Sequence, residues 1–189
     1  MTFYDGMLFV HVAAAMIWLG GATMLQFVAL RARTRGPEGM KAFARDMAWI
    51  GKNVLTPASL AVLVCGVGMV VDAWSFGDDW VVIALALFGI AFATGVGYFE
   101  PEGKRLGRAM AEGRVDEAQR RAARLTVISR LELSLLYLIV FDMFFKPTFT
   151  SYSLIAWGIG GVLVWAAIVL ARAATARPAA PHGAVAPVD

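Results

Sequence analysis

A chain of 189 residues with 59% hydrophobic and only 16% charged side chains is far too apolar for a water-soluble domain of that size and reads as an integral membrane protein. Its net charge of +3 does not point to nucleic acid, because the basic residues lie between the apolar runs, where membrane topology calls for them. The single cysteine, Cys65, excludes an intrachain disulfide framework or a cysteine zinc site and reads as a small buried hydrophobe.

The first apolar run, residues 7–30, is long enough to cross about 30 Å of hydrocarbon at 1.5 Å per residue. No basic residue precedes it, Asp5 does, and arginines follow, which suits an uncleaved span better than a signal peptide. The connection 31–53 carries Arg31, Arg33, Arg35, Lys41, Arg45 and Lys52, and after "GPEG" the residues Met40, Phe43, Met47 and Ile50 recur at helical spacing. That pattern predicts a short amphipathic helix lying on the inner membrane surface. The second span, 54–74, holds Gly66 and Gly68, and the connection "DAWSFGDDW" after it has three aspartates and no Lys or Arg.

The third span, 80–99, carries Gly89, Ala93 and Gly97 on one face. Small residues at this spacing let helices approach closely, within one bundle or across a homodimer. Pro101 and Gly103 are expected to break the chain beyond it. The segment 116–130 has helix-forming composition and is expected to run directly into the fourth span, 128–146, which is marked by Arg130, Glu132 and Asp142. The fifth span, 152–171, is followed by Arg172, Arg177 and a tail rich in proline and alanine. The tail, 173–189, is expected to be disordered, and its His182 is assigned no ligand role.

The two strongly basic connections, 31–53 and 100–127, belong on the cytoplasmic side. The expected fold is therefore all-α: residues 1–172 form an integral membrane bundle of five transmembrane helices in a bacterial-type cytoplasmic membrane, with the amino terminus outside and the carboxyl terminus cytoplasmic. Membrane lipids are the expected surroundings, the basic connections meeting anionic headgroups. No nucleic-acid partner is expected.

With odd-numbered spans running inward and even-numbered ones outward, depths can be compared between helices. His11 lies about 10 Å outward of the middle of the first span. Asp142, Lys146 and the end residue Asp72 fall in the same outer half, while Gln26, Arg130, Glu132 and Glu100 fall toward the other side. Ionisable groups at membrane depth usually face the bundle interior and usually serve a purpose. Asp142 and Lys146 are four apart with the acid first, which predicts a helical ion pair that neutralises both. For His11 three readings stand: a metal or haem-iron ligand, a proton relay, or a hydrogen bond to another helix. A lone histidine does not make an ordinary zinc or copper site. Haem needs only one proximal histidine, with Met69 or Met143 at suitable depth for the opposite face.

His11, Trp18 and Gly21 together resemble the first-span pattern of HemJ-type protoporphyrinogen oxidases and of the membrane domain of copper-resistance protein D. "VLTPASLAVLVCGVGM" is similar to the second span of the HemJ type, and "SRLELSLLYLIVFDMFFKPTF" resembles its closing signature, an acidic residue opening an apolar span that ends in Lys-Pro. The likeness runs from Leu8 to Phe149. It implies a haem b membrane oxidoreductase in which His11, with Trp18 and Gly21, serves the cofactor and Lys146 serves a haem carboxylate or the substrate. Asp142 is additional to that pattern and is expected to orient Lys146 or relay a proton. A membrane electron-transfer partner follows from the same reading. The alternatives are a copper-handling or transport protein built on His11 and nearby methionines, and a non-enzymatic accessory subunit.

Overall fold

The computed structural model describes residues 2–175. Helix α1 spans Phe3–Thr34. Gly36, at φ 74°, supplies the left-handed step that turns the chain into α2, Gly36–Ile50. A π-helical turn, Gly51–Leu55, joins α2 to α3, Thr56–Ala73. After a short loop come α4, Asp79–Thr94, a second π-helical turn, Gly95–Phe99, and α5, Glu100–Ala111. Helix α6 covers Val115–Phe145 and α7 covers Tyr152–Thr175. The structure is all-helical, with no strand among the described residues. The expected tail, with His182, lies outside the described residues apart from the last turn of α7.

Four stretches, Phe3–Ala32, Glu38–Ala73, Asp79–Ala111 and Tyr152–Arg172, are long and apolar enough to cross a membrane. Helix α6 has 31 residues, length enough, but Arg130, Glu132 and Asp142 interrupt its apolar run.

The short helix expected after "GPEG" is α2, and one expectation fails at the π turns: Pro101 does not break the helix after the third apolar segment. Each π turn sits just before a proline, Thr56-Pro57 in one case and Glu100-Pro101 in the other. The turns close on wide bonds from the Thr56 N–H to the Gly51 carbonyl and from the Glu100 N–H to the Gly95 carbonyl. A proline ring lacks an N–H and collides with the carbonyl four residues back. One extra residue in the preceding turn moves that carbonyl aside, and the helix continues. The amphipathic α2 therefore extends α3 and packs on α1 and α5.

The apolar faces of α5 and α6 meet in a small core of Leu106, Ala109, Ala118 and Leu125, covered by Ala44 from α2 and by Tyr98 and Phe99 from the second π turn. Around it Glu102 pairs with Arg105 and Arg121, and Glu117 pairs with Arg121 and Arg114. The Arg121 hydrogen bond, helped by Arg114, holds the Glu117 carboxyl below the usual carboxylate range. Arg105 and Arg114 are exposed and the Arg121 pairs are only part-buried, so solvent screening keeps these pairs weak and the apolar core carries the lobe. Ala109 is 0% exposed, so Ala109→Leu is expected to destabilise the protein by about 1–3 kcal/mol, read as a lower thermal midpoint in detergent.

In the apolar half, α1 packs along α3, α4 along α6, and α7 on α6. Helix α4 turns Val81, Ala84, Phe88 and Ala91 inward, the three-and-four spacing of a buried helical face. Val82, Leu85, Ile90 and Val96 are exposed, an apolar exterior suited to lipid. Gly89, Ala93 and Gly97 share that exterior: all three are exposed, and a Cβ added at either glycine would meet nothing within 4 Å. Packing within the bundle is therefore not what this small-residue face serves. Gly66 and Gly68, by contrast, admit α1.

Candidate functional site

His11 projects from α1 onto α3. Its Nδ1 lies 2.9 Å from the Val62 carbonyl oxygen. A carbonyl only accepts, so Nδ1 carries the proton and donates it, which leaves the lone pair on Nε2. Gly66 makes the approach possible, since a Cβ there would lie 3.2 Å from His11 Cε1 and 3.4 Å from Nδ1. One turn earlier on α1, Met7 rests against Gly68, with Sδ 3.6 Å from where a Cβ would be. The half-buried ring is thus fixed in tautomer and orientation by backbone alone.

The other two first-span positions face the bundle but do not gather at the imidazole. Trp18 packs edge-on against Phe88 of α4, with centroids 5.4 Å apart. Gly21 accommodates Leu55, whose Cδ2 would stand 2.8 Å from an added Cβ. A groove of about 340 Å³ between α1 and α6, lined by Gly20, Thr23, Phe27 and Tyr137 among others, lies on the side of α1 turned away from His11, as 100° per residue requires.

A second cluster forms where α3 ends, α4 begins and α6 ends. Lys146 closes α6 in the left-handed conformation, φ 44° and ψ 58°, the sole non-glycine residue with positive φ among those described. Its N–H still donates to the Asp142 carbonyl at 2.8 Å. The buried Pro147 follows, and a residue before proline is already restricted toward extended conformations. Such a backbone costs about 1–3 kcal/mol and persists where surrounding contacts hold it. Here the Lys146 ammonium lies 3.8 Å over the Trp74 ring and 5.0 Å from the Trp80 ring. The two indoles meet edge to face at 5.1 Å, and Trp74 Nε1 donates to the Tyr4 hydroxyl at 3.4 Å. Asp79 Oδ2 accepts from the Phe149 N–H at 2.8 Å, tying the loop after Lys146 to the start of α4.

The expected Asp142–Lys146 ion pair is not formed. The i, i+4 rule presumes that both residues are helical, and the left-handed turn at Lys146 carries its side chain across to the tryptophans instead. Asp142 is 2% exposed, and neither carboxyl oxygen has a hydrogen-bond partner. It does not orient Lys146. Asp72 is exposed at the end of α3.

Tyr4 on α1 reaches Trp74, and Trp74 carries Lys146, so the ends of these helices do share one end of the bundle. Tyr4, Trp74 and Trp80 belong to the site although the charge pattern does not single them out. For Trp74 and Trp80 the signal is the aromatic enrichment of "DAWSFGDDW", the kind of belt expected where a span ends.

The donor set decides which inorganic group the residues fit. Among the described residues no three His, Cys, Asp or Glu side chains converge, so a metal ion caged by several such ligands is not built. A group that needs a single nitrogen donor is compatible with His11, whose Nδ1 is engaged and whose Nε2 keeps its lone pair.

The chain matches the family described as predicted integral membrane protein (DUF2269) over residues 6–147. No curated protein and no solved structure matches it. The matched stretch contains His11, the tryptophan pair, Asp142 and Lys146, ends on Pro147, and excludes α7.

Proposed function

Because the chain belongs to the DUF2269 family of predicted integral membrane proteins, we propose that it crosses a bacterial cytoplasmic membrane five times, with its amino terminus outside. We further propose that it binds haem b through His11 and takes part in electron or hydrogen transfer. The basic connections support the orientation. A span by α6 is supported by its length and by its packing against α4 and α7.

The observation that carries the haem reading is the committed tautomer of His11. With Nδ1–H donated to Val62, Nε2 carries the lone pair that would ligate the iron. The resemblance of His11, Trp18 and Gly21 to the HemJ first span, and of Lys146-Pro147 to its closing signature, points the same way. When bound, haem supplies a one-electron couple. The chain's own residues would hold it and handle charge: His11 would ligate, Trp18 and Gly21 fix α1 against its neighbours, Lys146 would offer an ammonium to a carboxylate, and Asp142 would hold or relay a proton. The open Gly89, Ala93 and Gly97 face is the surface for a homodimer or a membrane electron-transfer partner.

The test is an absorption spectrum of detergent-purified protein, oxidised and then reduced with dithionite. Wild type is expected to show a Soret band that shifts on reduction, and His11→Ala is expected to lose it. Wild type that acquires no Soret band on reconstitution with haem sinks this reading. A second reading is copper handling, favoured by one contact: Met7 and His11, one turn apart, both face α3 at Gly68 and Gly66, which gives soft sulfur and nitrogen donors. Metal analysis of the same sample separates the two, since copper lost in both His11→Ala and Met7→Leu belongs to the second reading alone.

A further inference from the structure

Asp142 is 2% exposed, and its two oxygens are the buried side-chain polar atoms without a partner among the described residues. A carboxylate left alone in an apolar interior is strongly disfavoured, whereas its acid form carries no net charge. The one cation within a helical turn, Lys146, is engaged elsewhere, 3.8 Å over Trp74. A lysine has a flexible four-carbon stem and a compact charge, so the same ammonium can serve the aromatic faces or the carboxylate, but not both.

We propose that Asp142 is a proton-binding site coupled to the position of Lys146: while Asp142 carries its proton, the ammonium rests on Trp74 and Trp80, and when the proton leaves, the ammonium moves to the Asp142 carboxylate. The proton passes to water or buffer at that end of the bundle, and no electron moves. The inference goes beyond the haem reading and does not require it.

The other titratable groups on the elements around this end are Tyr4, Asp5 and His11 on α1, Asp72 on α3, Asp78 and Asp79 where α4 begins, and Tyr152 on α7. Helix α5 packs at the opposite end of α6, beside Ala118 and Leu125. Asp5 bonds Thr2, His11 bonds Val62, Asp78 accepts from the Ser75 N–H and Asp79 from the Phe149 N–H. None of these groups hydrogen-bonds Asp142. That leaves Lys146 as the group able to answer its charge.

The experiment follows full-length protein in lipid nanodiscs by infrared difference spectroscopy and tryptophan fluorescence during a pH titration. Wild type is expected to show the carbonyl stretch of a protonated buried carboxylic acid. Raising the pH should remove it in a one-proton transition, together with a change in tryptophan emission as the ammonium leaves Trp74. Asp142→Asn, which imitates the acid form, should remove the Asp142 component of the band and the emission change coupled to it. Lys146→Met should keep the infrared band, lose the coupled emission change, and move the transition to a proton concentration about tenfold lower or more, because the carboxylate then has no cation to receive it. Glu132 is a second half-buried carboxyl of α6, so the comparison is with wild type: a titrating carboxylic-acid band that Asp142→Asn leaves unchanged, or the absence of such a band from wild type, overturns the proposal. So does a Lys146→Met titration that matches wild type, and this arm stands even if the asparagine variant fails to fold.

Discussion

Gly66→Leu is expected to undo the His11 site from the other side, without touching the histidine. A Cβ at Gly66 already lies 3.2 Å from His11 Cε1, a contact that alanine relieves only by shifting the ring a few tenths of an ångström. A leucine has branched carbons beyond that Cβ and needs the volume the imidazole fills. Two losses follow: the α1–α3 contact is overpacked, and the bond from His11 Nδ1–H to the Val62 carbonyl is broken in a partly buried place. Together they are worth about 2–5 kcal/mol. The expected results are a marked fall in thermal midpoint and loss of the same Soret band that His11→Ala loses. Gly68→Ala is the control, because its Cβ would stand 3.6 Å from Met7 Sδ, an ordinary contact, and little should change. If the two glycine variants behave alike, the seat of His11 on α3 is not what fixes the ring.

The contrast between these glycines shows where the sequence is readable. The spacing of Gly66 and Gly68 in an apolar run announces a close helix approach, and they provide one. Gly89, Ala93 and Gly97 make the same announcement yet face outward, because small residues signal that something approaches without naming it. The apolar runs themselves are legible because the cost of exposing backbone to hydrocarbon leaves helix as the way to cross. The π turns are not. Pro57 and Pro101 read locally as helix breakers, and only a one-residue widening upstream, invisible to periodicity, reconciles them with a continuous helix. Helix α2 shows a related limit: its amphipathicity announces a covered face and not that α1 and α5 help to cover it.

Lys146 illustrates the limit most sharply, since a helical spacing rule gave it the wrong partner at the one residue where the helix ends left-handed. That conformation yields the second large effect. Lys146→Gly should remove about 1–2 kcal/mol of backbone strain and also remove a cation–π contact worth about 0.5–2 kcal/mol. The two nearly cancel, so the thermal midpoint should stay close to wild type. Function should not follow stability: without the ammonium, binding of a carboxylate-bearing ligand should weaken about tenfold to a hundredfold, measured by titration with haem or another tetrapyrrole dicarboxylate. Lys146→Arg keeps a cation for the Trp74 and Trp80 faces and retains the strain, so it should bind better than the glycine variant while being no more stable. An unstrained glycine that holds the fold and loses the ligand would mean that lysine stands at this position against the local preference of the backbone, for the charge it presents. A glycine variant that binds as wild type does would assign Lys146 to the packing of the tryptophan pair alone.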